Sequence, residues 1–306
     1  MVRVALVKGD DRKANVRNAL ELIAGDVNLK GRRPVIKVNF VSTYVPLCAT
    51  HPDAVRAIVE FLKDRGEKNI VVAEAASMGT TPMGYEKYGY HDLAKEYGLE
   101  LIDLNAPDSW KTAFVIHPDL KPHPVKISRP MIDPNNYIIS VARPKSHGQV
   151  GVTLTAKNVI MGALMVMDKN RMHPTDGGDR VLDYNLFTLM QHLHIDLGVI
   201  DGFEGMEGKG PISGTPVDHR VAVAGTDFLA VDRVGVEVMG VDFDEIRYLN
   251  YLWDGGFGEA DLERIQILGE KIKNCCKTYK MSRRFLRLRR QEQKERYPNL
   301  GISEEE

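Results

Sequence analysis

The chain has 306 residues, 43% hydrophobic and 27% charged, an ordinary globular composition with enough apolar residues for a substantial core. A formal net charge of -1 excludes a whole-molecule bias toward nucleic acid. No apolar run reaches 18 residues, so a membrane-spanning helix is not expected.

The opening MVRVALVKGDDRKANV starts directly in a strand pattern and lacks the apolar core and cleavage site of a signal peptide. A cytoplasmic location is therefore expected. The three cysteines, Cys48, Cys275 and Cys276, form no C-x-x-C, so they specify neither a zinc ribbon nor a Cys-ligated cluster. Through the first hundred residues the hydrophobic period alternates. RVALVKG, PVIKVNFVS, NIVVAEA and LELIDLN read as strands. Between them, DRKANVRNALELIAG, HPDAVRAIVEFLKDRG and PMGYEKYGYHDLAKEYG read as helices, the last interrupted by Gly89. Pro52 and Gly66 are suitable start and stop residues for the second helix. Strands joined by helices of this length imply an α/β fold with a largely parallel sheet. The expected division is an α/β half over 1–105, a proline-rich insertion over 106–136, and a second α/β half over 137–270. A basic amphipathic helix and an acidic tail follow over 271–306.

The stretch after the apolar run NYIISVA is RPKSHGQVGVTLTAKNVIMGAL, which places Arg143, Lys145, His147 and Lys157 between two segments that look buried. Ligands gather at the C-terminal edge of an open parallel sheet. Polar residues fall there after four predicted strands: Lys37, Asn39, Ser42 and Thr43; Glu74, Ser77 and Thr80; Lys145 and His147; Asp201, Glu204 and Glu207. Lys37 and Asn39 share strand parity. Lys37 either pairs with Glu74 on the neighbouring strand or supplies a cation to a carboxylate or phosphate. Lys145 and His147 share parity too, and Gly148 and Gly151 permit close backbone approach. Thr153 or Thr155 is expected to cap a helix beginning near Ala156, with Lys157 in its first turn. A lysine there works against the helix dipole unless an anion is bound.

DGFEGMEGKGP has four glycines and three carboxylates and reads as a loop able to expose amides to an anion. Lys209 is followed by Gly210, so it is not a phosphate-binding P-loop. Asp201, Glu204 and Glu207 are candidate ligands for a divalent metal, or carboxylates that hold a proton. MHPTDGGDR adds a further polar group, His173, Asp176 and Asp179 with Arg180. The tail KTYKMSRRFLRLRRQEQKERY suits an acidic partner, RNA or an anionic lipid surface, or else lies on the acidic body of the chain itself. It is expected to be independent of the site.

VIKVNFVS, THPDAVRAIVEFLKDRG, RPKSHGQVGVTLTAKNVIMG and DGFEGMEGKGP together resemble the family called domain of unknown function 362, from about residue 2 to residue 269. The resemblance singles out Lys37, Asn39, Lys145, His147, Lys157, Asn158, Asp201, Gly202, Glu207, Gly208 and Pro211. Some relatives carry a ferredoxin-like cluster domain; this chain lacks its cysteines, and no iron–sulfur cluster is expected. The leading expectation is an enzyme acting on a small carboxylated or phosphorylated molecule. In it Lys37, Asn39, Lys157, Asn158, Gly202 and Gly208 bind the anion, while His147, Lys145 and Asp201 carry the chemistry. The alternatives are a non-catalytic cofactor or redox-partner module, and an RNA- or membrane-surface-associated protein acting through the tail.

Overall fold

The computed structural model describes residues 1–106, 110–172 and 179–296. His173 and Asp176 lie outside the described residues, as does the acidic end of the tail. Among the described residues twelve strands occur: β1 (Val2–Lys8), β2 (Arg33–Lys37), β3 (Val71–Glu74), β4 (Glu100–Asp103), β5 (Trp110–Ile116), β6 (Pro122–Ser128), β7 (Asn136–Ala142), β8 (Lys145–His147), β9 (Gly151–Thr153), β10 (Leu197–Glu207), β11 (Thr215–Gly225) and β12 (Ile265–Gly269). Eight of them lie in the order β12-β1-β11-β10-β7-β2-β3-β4, and β8 and β9 extend the same sheet from β10. Pairing is mostly parallel. The exceptions are β1 with β11, β11 with β10, and β8 with β9. The short connection 208–214 between β10 and β11 leaves no room for a crossover, so an antiparallel hairpin is the available geometry.

The stretches 1–105 and 137–270 share this sheet. β1 is separated from β2 by β11, β10 and β7, so strands of the two stretches interleave. The stretch 106–136 holds a separate two-stranded ribbon, β5 with β6. Asn185 ties that ribbon down: its side chain accepts from Ile116 N and donates to Ile116 O, both at 2.8 Å.

Side-chain alternation along the strands builds a core on each face of the sheet. Val35, Val71, Ile138 and Ile200 face one side, where helices Thr155–Gly162, Asp179–Met190 and Phe228–Val238 pack. Ile36, Val72, Ile139 and Val199 face the other, under helices Arg12–Leu22 and Pro52–Asp64. Local chemistry fits these helices. Asp11 accepts from Ala14 N at 2.7 Å to cap the first. Pro52 starts the second. Gly89, at φ +76°, breaks the third into Thr81–Lys87 and Tyr90–Tyr97.

The basic tail forms helix Arg283–Arg296, which docks on the body. Phe285 is 2% exposed, and Arg289 lies beside Asp183 (3.6 Å), Glu245 (3.7 Å) and Glu292 (2.8 Å). Acidic residues of the chain itself thus receive part of the tail's charge.

Candidate active site

At the C-terminal ends of β2, β3 and β8 lies a cavity of about 400 Å³. Its lining includes Asn39, Glu74, Ser77, His147, Thr153, Lys157 and Lys169, with apolar walls from Val41, Met78, Met161 and Ile212. A sheet edge where parallel strands end and loops diverge is the place a cleft forms in this architecture.

Beneath the cavity is a buried polar network. Lys37 Nζ donates to Glu74 Oε2, to Val38 O (2.5 Å) and to Asn158 Oδ1 (3.3 Å). Glu74 Oε1 accepts from Phe40 N at 2.9 Å. Asn158 donates to Lys37 O (3.1 Å), Ser140 Oγ (3.1 Å) and Val141 O (3.3 Å) and accepts from Asn39 Nδ2 at 3.1 Å. Asn39 Oδ1 in turn accepts from Lys145 Nζ, which also donates to Cys48 O at 3.0 Å. Lys37, Asn39, Lys145 and Asn158 are therefore brought together. Lys37 and Asn158, however, are engaged in linking β2, β3, β7 and the helix Thr155–Gly162. Lys37 takes its structural role with Glu74, the first of the two readings its position allowed. Gly162 is required by this packing, since a Cβ there would overlap Lys37 Cε and Nζ.

Three further buried ammonium groups have no carboxylate within ion-pair distance among the described residues: Lys145, Lys157 and Lys169. Lys145 is held by Asn39 and Cys48 O, and Lys169 by Ala75 O. Lys157 has no hydrogen-bond acceptor among the described residues, is 5% exposed, and lines the cavity. Burial pushes Lys145 down to about 7, with the charges of Arg143 and Lys37 adding to the effect against Cys48 and Glu74. Burial, then the charge of Lys145, pushes Lys157 to about 7, and burial pushes Lys169 to about 8. In the same lining, the Thr153 hydroxyl is buried with no hydrogen-bond partner among the described residues.

Residues 145–153 form a tight hairpin, with Lys145 opposite Thr153 and His147 opposite Gly151. Gly151, at φ +83°, sits where a Cβ would overlap Ile246 and lie 3.0 Å from the Phe285 ring. His147 Nδ1 accepts from Gln149 N (3.2 Å) and Val150 N (3.4 Å), which places the proton of a neutral ring on Nε2. The helix bearing Lys157 begins at Thr155, and neither Thr153 nor Thr155 caps it through its own side chain. The cap comes from Asp232, which accepts from Thr155 N (2.8 Å), Thr155 Oγ1 (2.6 Å) and Ala156 N (2.9 Å).

The acidic candidates go elsewhere. Register aligns Lys37 with Ser140 and Ser140 with Gly198, so these share a face of the sheet; Asp201, three residues on, points to the opposite face. There Arg12 Nε meets Asp201 at 3.2 Å, and Arg143 meets Glu204 at 2.9 Å. Glu207 accepts from Lys280 N at 2.9 Å. Among the described residues no group of three His, Cys, Asp or Glu side chains could hold a metal ion. The three carboxylates are thus not assembled into one set. The glycine-rich stretch expected as an anion-binding loop is largely strand β10, paired through Gly202 to Val221. Gly208 N donates to Lys280 O at 2.7 Å, so its amide is engaged. Gly210, Pro211 and Ile212 line the cavity instead.

Sequence reasoning missed Lys169, whose setting in VMDKN carries no signal of burial, and Arg284, which lines the cavity from the tail helix. Arg284 corrects the expectation that the tail is independent of the site.

The family model described as "Domain of unknown function (DUF362)" matches residues 35–237. The chain belongs to the DUF362 family. The match contains Lys37, Asn39, Glu74, Lys145, Lys157 and Lys169 and stops before the tail helix that carries Arg284. A thylakoid-associated protein of Synechocystis sp. is 24% identical over 234 residues, covering 75% of this chain and 70% of that protein. A crystal structure of a Thermotoga maritima protein is similar at a TM-score of 0.49 and 15% identity over 76% of this chain. The chain spans 60% of the length of that structure. No helix among the described residues is long and apolar enough to cross a membrane.

Proposed function

We propose that this DUF362 protein binds a small carboxylated or phosphorylated molecule in the cavity lined by Lys157, Lys169 and Thr153. The observation that carries the reading is Lys157: a buried ammonium facing a cavity with no acceptor among the described residues. An unpaired buried cation is costly, and an anion at this point would remove the cost. The charge of Lys145 acts on Lys157 and adds positive potential; the Glu74 carboxylate in the same lining is offset by Lys37. His147 lines the same cavity, which supports a role for it in proton transfer to or from such a molecule. Titration calorimetry with inorganic phosphate and with pyruvate tests the reading. Binding by the wild-type protein is expected to weaken by about tenfold or more in Lys157→Met, the scale of losing one buried charge contact. Equal binding by the two proteins would refute it.

A second reading has one observation in its favour. Arg283, Arg287 and Arg290 are exposed on the tail helix, so that face is free to meet an anionic lipid surface, and a relative is named as thylakoid-associated. Co-sedimentation with phosphatidylglycerol vesicles, lost on replacing these three arginines by glutamine, tests it.

A further inference from the structure

We propose that Lys157 is a covalent nucleophile whose amine forms a Schiff base with a small carbonyl compound bearing a carboxylate or phosphate. The inference rests on the anion-site reading above and names the substrate class and chemistry of that site. Lys157 and Lys169 line the cavity, Lys145 is buried in the network beneath it, and their geometry distinguishes the three amines. Lys145 is fixed by Asn39 and the Cys48 carbonyl, and Lys169 by the Ala75 carbonyl, so both are oriented as hydrogen-bond donors. Lys157 has no acceptor among the described residues and lines the cavity together with Met161 and Thr153. A lysine becomes nucleophilic at neutral pH when it is desolvated in an apolar pocket beside another cation. Both conditions hold: Met78, Met161, Val41 and Ile212 form the walls, and the charge of Lys145 acts on Lys157. The lowering of Lys157 to about 7 is consistent with this placement.

The step balances without a co-reactant. The amine nitrogen attacks the carbonyl carbon, the C–O bond breaks, and both amine protons leave with the oxygen as water. A C=N bond to Lys157 remains. Lys169 and Arg284, in the same lining, are placed to hold the anionic end of the molecule. The carboxylate or phosphate anchors, and the neighbouring carbonyl reacts.

The test is reductive trapping. The full-length protein is incubated at pH 7 with pyruvate or glyceraldehyde 3-phosphate and sodium borohydride, then digested and mapped by mass spectrometry. A reduced adduct on Lys157 is expected, exceeding that on the exposed Lys121 (77% exposed) by about tenfold or more, since an ordinary lysine is almost fully protonated at pH 7. Calorimetry on the untreated protein runs in parallel. Binding of both compounds with no preferential adduct on Lys157 would overturn the covalent role and leave anion binding standing. Absence of both would overturn both. A dominant adduct on Lys145 or Lys169 would overturn the assignment to Lys157. Lys157→Arg, which keeps the charge, is expected to bind pyruvate without labelling. The wild-type result decides the matter even where that variant does not fold.

Discussion

Removing the Phe285 ring tests whether the tail helix is part of the site. The ring is 2% exposed, rests against Gly151 in the hairpin that carries His147, and has the Arg289 guanidinium 4.8 Å from its centre. Truncating a buried phenylalanine to alanine costs about 3–5 kcal/mol when a rigid core keeps the cavity. This helix lies on the surface and can lift away, so the cost is limited by its docking energy; the lower end, about 3 kcal/mol, is expected. Lifting also withdraws Arg284 from the cavity lining. Phe285→Ala is therefore expected to lower the urea midpoint and to weaken phosphate binding together. The two are measured by urea unfolding monitored by circular dichroism and by calorimetry. A stability loss below about 1 kcal/mol with unchanged phosphate affinity would refute the coupling, because a ring buried in a shared core cannot be removed that cheaply.

Lys157→Met removes a buried cation with no acceptor among the described residues, so the ligand-free melting temperature should rise or stay level while phosphate binding falls; a marked drop would show that the amine is already satisfied. The lowering of Lys145 and Lys157 to about 7 and of Lys169 to about 8, from 10.5, fixes a pH dependence. Between about pH 7 and 10.5 the unfolded chain binds more protons, so ligand-free stability should rise with pH, by at most about 1.4 kcal/mol per unit for each lysine. Phosphate affinity should run the opposite way, falling above about pH 7–8 as the amines lose charge; parallel trends in melting temperature and affinity would contradict the assignment. Asp232→Ala should cost about 3 kcal/mol in urea unfolding, since it strips the acceptors from Thr155 N and Ala156 N in a buried helix start. Gly162→Ala should cost about 3 kcal/mol or more, because its methyl must displace Lys37 from Glu74.

Taken alone, the sequence determined what depends on near neighbours along the chain. Hydrophobic period marked the α/β class and the strands β1 to β4, because side-chain direction repeats within a few residues. Gly89 and Pro52 marked helix boundaries, because their limits on φ are local. The edge position of Lys37, Asn39, Lys145 and Lys157 was legible because polar residues fell just after apolar runs. Tertiary structure decided what depends on register and on distant partners. Asp201 was assigned with the lysines from its place after an apolar run, but pairing across β2, β7 and β10 turns it to the other face; one residue of register reverses a side chain. The cap on the Lys157 helix comes from Asp232, and part of the cavity lining from Lys169 and Arg284, none of which any local pattern points to. Whether a buried lysine is structural or available was likewise a tertiary matter. Lys37 and Lys157 look alike as letters. Only the folded chain sets a carboxylate against one amine and leaves the other facing a cavity, because the cost of burying charge is settled by what lies within hydrogen-bond reach in space.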